Sequence, residues 1–231
     1  MTEPHPIRPA ATIILSRTGA DGPEVLMGQR GHAAAFMPSK FVFPGGAVDA
    51  GDAHVPLARP LPAACAARLA SPEGPAPEAL AAAAIRELFE ETGLALGLPG
   101  RWPAAAPEGW HAFADRGVLP AAHGLQFVFR AITPPGRSRR FDARFFLADA
   151  AGVAGNPDDF SAASDELSHL HWISLAEVRR LDLPFITEVV LAEVGTLLRD
   201  GPTPGPTPGP TPGGVPFFDN SGPVPVFRRL A

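Results

Sequence analysis

The chain has 231 residues and is 45% hydrophobic, which allows one principal domain with a sizeable core. Its formal net charge of −5 gives no general electrostatic reason to expect nucleic-acid binding. No apolar run approaches the roughly 18 residues of a membrane span, and the first residues lack the apolar core of a signal peptide. The single cysteine excludes an intrachain disulfide. We therefore expect a soluble, cytoplasmic protein that binds neither membrane nor nucleic acid.

Apolar spacing and turn residues predict short strands interleaved with a few helices. Residues 11–17 and 25–30 are predicted to form a β-hairpin, followed by a strand at 40–43 and an acidic helix at about 77–92. The later predicted elements are a strand from Leu94, a short helix at 110–114, strands at 125–133, 141–148 and 169–173, a helix at 175–181 capped by Ser174, and a long helix from Pro184 to about Arg199. This order predicts an α/β fold in which helices sandwich a mixed sheet.

The acidic helix carries the strongest functional pattern in the chain. Glu87, Glu90 and Glu91 fall at i, i+3 and i+4, within one narrow sector of the helix surface, and Gly93 then stops the helix. Carboxylates packed this closely cost stability unless a cation neutralises them, and their oxygens are ligands that Mg²⁺ and Mn²⁺ prefer. The opposite side carries apolar residues that would bury the helix: Ala81, Ala84, Ile85 and Leu88. Either the acids bind a metal ion or they form an ordinary solvated face.

The segment upstream favours the metal site. A strand at 41–43 runs into Pro44-Gly45-Gly46, a sharp turn that lets the backbone approach another group closely. Together, the turn and the acidic helix resemble the Nudix signature G-x5-E-x7-R-E-U-x-E-E-x-G-U, whose second half matches residues 86–94 at every defined position. The resemblance implies an α/β/α sandwich with a mixed β-sheet. It also implies a hydrolase that cleaves a pyrophosphate bond of a nucleoside diphosphate derivative with Mg²⁺ or Mn²⁺.

The two halves of the signature are separated by an insertion at about 53–76. If Gly46 is the first signature position, Asp52 is the seventh and 26 extra residues precede Arg86. Counting back from Arg86 instead places Glu78 at the seventh position. We favour Glu78, because residues 78–81 already read as continuous helix. The insertion contains Cys65 and a predicted short helix at 63–69, and it forms either a cover over the site or a surface elaboration.

The resemblance implies a role for each acid. Glu87, Glu90, Glu91 and the Gly46 carbonyl are the expected metal ligands, and Arg86 is expected to face away from the ligand and pair with an acid. The general base is Glu90, Glu91 or an acid from the downstream loop, where Glu166 is preferred to Asp165 because of its longer reach.

Several arginines are candidate phosphate contacts, since guanidinium groups suit phosphate oxygens. Arg144 leads because it lies inside an apolar strand, where a charge needs a partner; the other candidates are Arg139, Arg140 and Arg30. The split signature resembles that of the peroxisomal-type coenzyme A diphosphatases, so coenzyme A or an acyl-coenzyme A is a candidate substrate. The alternative function is a ligand-binding or regulatory module with the same fold, and a homodimer is left open.

The C-terminal region differs from the domain at 1–200. Pro-Thr-Pro-Gly repeats at 201–214 predict a linker. Beyond it, residues 215–218 and 224–227 predict a small hairpin in a tail at 215–231. Each arm carries a proline, so we expect the hairpin to form an edge of the sheet at best.

Overall fold

A mixed β-sheet forms the centre of the structure, a computed structural model that describes residues 6–32, 34, 36–200, 211 and 213–231. The strands of the described chain are β1 (Ile7–Gly19), β2 (Gly22–Arg30), β3 (Phe41–Val42), β4 (Gly45–Ala47), β5 (Gly97–Pro99), β6 (Val118–Pro120), β7 (Gln126–Ile132), β8 (Arg140–Asp149), β9 (Leu167–Ser174), β10 (Val215–Asp219) and β11 (Val226–Leu230). Its helices are α1 (Ala63–Leu69), α2 (Pro77–Thr92), α3 (His111–Ala114) and α4 (Phe185–Asp200). Short 3-10 turns lie at Ala50–His54, Ala150–Gly152 and Val178–Arg180.

The main sheet runs β11-β10-β7-β8-β1-β2-β3, while β4 pairs with β1 and β9 pairs with β2. The β1–β8 and β10–β7 pairs are parallel and the other pairs are antiparallel. The predicted mixed sheet, the β1–β2 hairpin and the acidic helix α2 are therefore confirmed. Strands β5 and β6 form a separate two-stranded ladder.

Two apolar layers enclose the sheet, and β1 contributes to both because side chains alternate along a strand. Ile13 faces the layer that contains α2, whereas Ile14 faces the layer that contains α4. The alanines at 81–84 of α2 are fully buried, and their small side chains let the helix lie close to the sheet. This places the acidic end of α2 against the sheet. Within the described residues, the helices are too short or too polar to cross a membrane.

The predicted helix at 175–181 is wrong. Ser174 is the last residue of β9, where it pairs with Glu24 of β2, and the Leu175 N–H donates to the Pro23 carbonyl. The backbone around the expected cap therefore pairs with the sheet and does not start an α-helix. A single 3-10 turn, Val178–Arg180, follows.

The C-terminal hairpin forms as predicted, but β10 is not an edge strand. It lies between β7 and β11, and its parallel pairing with β7 begins at Phe217, one residue after Pro216, which has no N–H to donate. Of the predicted linker, residues 201–210 and 212 lie outside the described residues. Thr211 is buried; its hydroxyl donates to the Phe127 carbonyl, while Arg68 of α1 donates to the Thr211 carbonyl.

Candidate active site

The Gly-Gly turn and the acidic helix are packed directly together. Strand β4 places Gly46 opposite Ala11 of β1, and the Gly45 N–H donates to Glu91 Oε2 at 2.9 Å. A Cβ atom on Gly46 would overlap the Glu87 carboxylate, so any larger residue here would displace that carboxylate. The two halves of the signature therefore meet in space, although an insertion separates them in the sequence.

Arg86 is almost completely buried and uses all five of its N–H donors. Its Nε and Nη2 donate to the two oxygens of Asp52, and Nη2 also donates to the Ala47 carbonyl. Its Nη1 donates to Glu87 Oε1 at 3.0 Å and to Glu90 Oε2 at 2.9 Å. The predicted pairing with an acid is confirmed. The expectation that Arg86 faces away is wrong, because its guanidinium lies between Asp52 and two of the helix acids.

The acid that pairs with Arg86 is Asp52, and the preference for Glu78 is wrong. Glu78 lies exposed in the first turn of α2, whereas Asp52 is 2% exposed. Asp52 also accepts hydrogen bonds from the Asp49 N–H at 2.8 Å and from Trp110 Nε1 at 3.0 Å. The 3-10 turn at Ala50–His54, which contains Asp52, packs against α2, and the insertion follows this turn in the sequence. The helical pattern at residues 78–81 therefore did not identify the partner of Arg86. Sequence reasoning missed Trp110, which lies 58 positions from Asp52.

Burial and mutual repulsion make the helix acids hard to ionise without a cation. Burial raises the pKa of Glu87 to about 7 and raises that of Glu90. The pKa of Glu91 lies well above its ordinary value because the carboxyl is buried and, in addition, close to the charge of Glu87. A divalent cation would remove this penalty by favouring the ionised forms.

The residues present fit such a cation. Glu91 Oε1 is buried and finds no hydrogen-bond partner within the part of the chain that the structure describes. An acceptor-only oxygen in this position suits a hard cation, as do the neighbouring carboxylates. Among the described side chains, no group of three or more His, Cys, Asp or Glu residues is already arranged around a common point. In this structure Arg86 Nη1 instead donates to both Glu87 and Glu90.

Arg30, the last residue of β2, and Glu166, which immediately precedes β9, form an ion pair whose charges act on the acids of α2. Arg30 Nη2 lies 3.0 Å from Glu166 Oε1, and the Glu166 side chain is 54% exposed. The charge of Glu166 contributes to the raised pKa values of Glu87 and Glu91, and that of Arg30 opposes the rise at Glu91. Within the described chain, Arg30 Nε is buried without a hydrogen-bond partner.

Arg140 and Arg144 bond to groups outside the cluster of helix acids. Arg140 is buried and donates to backbone carbonyls of Thr133, Asn220 and Ser221, which ties the C-terminal hairpin to the sheet. These contacts support a structural role and not the predicted phosphate contact. Arg144 is buried within β8 and pairs with Asp142, at 3.0 Å from Oδ2, so its charge has the partner that its apolar strand required.

We expect Glu87 to make the stability of the metal-free protein depend on pH. Its pKa is about 7 when folded and 4.5 as the ordinary value, so folding takes up a proton between these values. The associated stability is fully present below pH 4.5 and is lost as the pH rises through 7. Glu87→Gln avoids this loss, on the order of 3 kcal/mol at most. The difference in Tm between Glu87→Gln and the native protein, measured in EDTA, should increase in favour of the variant from about pH 5 to pH 8. A difference that does not change with pH would contradict this expectation.

The chain resembles known proteins of one family, although no protein-family model matches it. It is 30% identical to nudix hydrolase 7 from Caenorhabditis elegans, over 74% of this chain and 52% of that protein. It is 28% identical to the acyl-coenzyme A diphosphatase NUDT19 from Gallus gallus, over 67% of this chain and 54% of that protein. The chain thus spans about half the length of these two relatives.

The fold agrees with this relationship. The crystal structure of a NUDIX hydrolase from Alicyclobacillus acidocaldarius matches with a TM-score of 0.63 and 27% sequence identity, over 87% of this chain and 99% of that chain. The α/β/α sandwich, the complete second half of the signature and the direct packing of its two halves point to the same assignment. The chain belongs to the Nudix hydrolase family, whose members act on acid anhydrides.

Proposed function

We propose that the protein is a hydrolase dependent on a divalent metal ion that cleaves the pyrophosphate bond of a nucleoside diphosphate derivative. The observation that carries this proposal is Glu91 Oε1, which is buried beside the Glu87 carboxylate and has no hydrogen-bond partner among the described residues. Buried carboxyls with raised pKa values are costly features that functional sites retain. A bound Mg²⁺ or Mn²⁺ would remove this cost and would also neutralise the charge of a pyrophosphate.

Glu87, Glu90 and Glu91 would hold the ion, together with the Gly46 carbonyl. When bound, it supplies charge neutralisation at the phosphates and lowers the pKa of water. Arg86 and Asp52 position the acidic end of α2 against the turn.

Glu166 is our candidate for the general base, because its half-exposed carboxylate can accept a proton from water at the edge of the acid cluster. Glu90, 39% exposed, and the more deeply buried Glu91 are the alternatives. Arg30 holds Glu166 in place and presents a cation to a substrate phosphate. Arg140 is not part of the proposed site. Arg144 stays a candidate phosphate contact, although the acid that it pairs with is Asp142 and not an acid of α2.

Coenzyme A or an acyl-coenzyme A is the proposed substrate class. One of the two relatives above carries acyl-coenzyme A diphosphatase in its name, and the split signature of this sequence resembles that of the coenzyme A diphosphatases. Coenzyme A contains a pyrophosphate flanked by a nucleoside, so it satisfies the chemistry of the proposed site.

The test is hydrolysis of a panel of pyrophosphates with Mg²⁺, with Mn²⁺ and with EDTA. The panel contains coenzyme A, an acyl-coenzyme A, NADH, ADP-ribose, nucleotide sugars and nucleoside triphosphates. We expect cleavage that requires the ion, with coenzyme A or its acyl derivative preferred. Preference for another compound would reject the substrate class alone. Metal-dependent binding without cleavage of any compound would reject the enzyme and favour a ligand-binding module.

A further inference from the structure

Trp110 is a fully buried residue whose polar atom reaches the candidate active site. It lies immediately before α3, and a Cβ atom added to the preceding Gly109, whose φ is +83°, would lie 3.3 Å from Arg86 Cδ. The indole Nε1–H donates to Asp52 Oδ1 at 3.0 Å. The ring contacts Trp102 and Phe113, with centroids 5.8 Å and 5.2 Å away, so its orientation is fixed on both sides.

Asp52 needs this donor because it is a shorter acid than the signature's glutamate and is buried with its charge. Its Oδ2 accepts from the Asp49 N–H and from Arg86 Nη2, and its Oδ1 accepts from Arg86 Nε and Trp110 Nε1. A buried carboxylate is stable only when hydrogen bonds and an opposite charge replace water. Without the indole, Oδ1 would retain only the Arg86 bond among the described contacts, and the carboxylate could rotate.

We propose that Trp110 is a positioning residue for the metal-binding acids, acting through Asp52 and Arg86. Asp52 fixes two edges of the Arg86 guanidinium, and the remaining Nη1 determines where Glu87 and Glu90 lie. A small rotation of the guanidinium therefore moves two carboxylates together. Residues that orient metal ligands in this indirect way typically contribute 10–100-fold to metal affinity or activity. The inference rests on the proposed function for its effect on turnover.

Trp110→Phe is the test, because it retains an aromatic ring against Phe113 and removes the N–H donor. We expect kcat to fall roughly 10-fold or more, with KM changed less than about twofold, and Mn²⁺ affinity to fall roughly 10-fold. Mn²⁺ binding is measured by electron paramagnetic resonance without substrate. This measurement therefore tests the positioning role of Trp110 even if the native protein is inactive. Inactivity of the native protein would reject the proposed function and leave the Mn²⁺ result as the test of Trp110.

Trp102→Phe is the matched control. Trp102 neighbours Trp110, and its indole also donates a hydrogen bond, to the Val118 carbonyl at 2.9 Å, but it has no bond to Asp52. We expect a comparable loss of thermal stability with native Mn²⁺ affinity. Equal losses of affinity in the two variants would show that general packing, and not the indole–carboxylate bond, supports the site, and would overturn the proposal.

A measurement on the native protein covers the case in which Trp110→Phe does not fold. The indole N–H resonances can be assigned from Trp102→Phe and Trp172→Phe. During a Mg²⁺ titration, the Trp110 resonance should shift in step with saturation, because its acceptor is bonded to the guanidinium that holds two metal ligands. The Trp172 indole, which donates to the Pro157 carbonyl, should not shift. A Trp110 resonance that stays fixed at saturating Mg²⁺ would reject the coupling.

Discussion

Glu91→Gln should abolish metal-dependent turnover while making the metal-free protein more stable at neutral pH. Turnover falls because the substitution removes a ligand from the proposed metal site. A catalytic ion supplies several kcal/mol, and about 4 kcal/mol corresponds to roughly 10³-fold in rate. Stability rises because the carboxyl is 1% exposed and its pKa is well above the ordinary value, so ionising it in the fold is costly. A glutamine oxygen can still accept the Gly45 N–H.

Thermal unfolding at about pH 8 separates these two effects. Mg²⁺ or Mn²⁺ should raise the Tm of the native protein by preferential binding to the folded state, and this rise should disappear in Glu91→Gln. Glu78→Gln provides the control on the same helix, since Glu78 is exposed and should retain both turnover and the metal-induced rise. Native turnover in Glu91→Gln would remove Glu91 from the proposed site.

Local sequence patterns predicted the elements that carry the metal-binding acids. Helix α2 begins at Pro77 and is capped by Gly93. The helical spacing of its alanines and acids predicted one buried face and one functional face. The Pro-Gly-Gly turn anticipated a close approach to that helix, which Gly46 makes against Glu87. These features depend on residues a few positions apart, so periodicity and turn chemistry are sufficient to find them.

The remaining parts of the site depend on long-range contacts that no local pattern contains. Asp52 is selected over Glu78 by the folding of a 3-10 turn against α2 and by the distant indole of Trp110. Similarly, Ser174 has the sequence features of a helix cap but ends a strand, because the neighbouring Leu175 N–H is already bonded to Pro23. In both cases the local sequence favours a helix, but tertiary hydrogen bonds determine the structure that forms.

Asp52→Ala should be far more damaging than Glu78→Ala, because Asp52 forms a buried ion pair with Arg86 whereas Glu78 is exposed. Its removal leaves buried donors of Arg86 and Trp110 without their acceptor, and the Asp49 N–H also loses its partner. Breaking a buried ion pair in this way costs about 3–5 kcal/mol, which corresponds to a fall in Tm of roughly 6–20 °C for a chain of this size. Glu78→Ala should change the unfolding free energy by less than about 0.5 kcal/mol.

Activity should follow the same order, because a released Arg86 no longer fixes Glu87 and Glu90. If Asp52→Ala does not fold, Asp52→Asn keeps the shape of the side chain and removes its charge, and its kcat can be compared with that of Glu78→Gln. The reverse order, with Asp52 variants close to native and Glu78 variants impaired, would return the seventh signature position to Glu78. It would also mean that the Arg86–Asp52 pair does not persist in solution, because loss of a buried ion pair should otherwise cost far more than a change at the exposed Glu78.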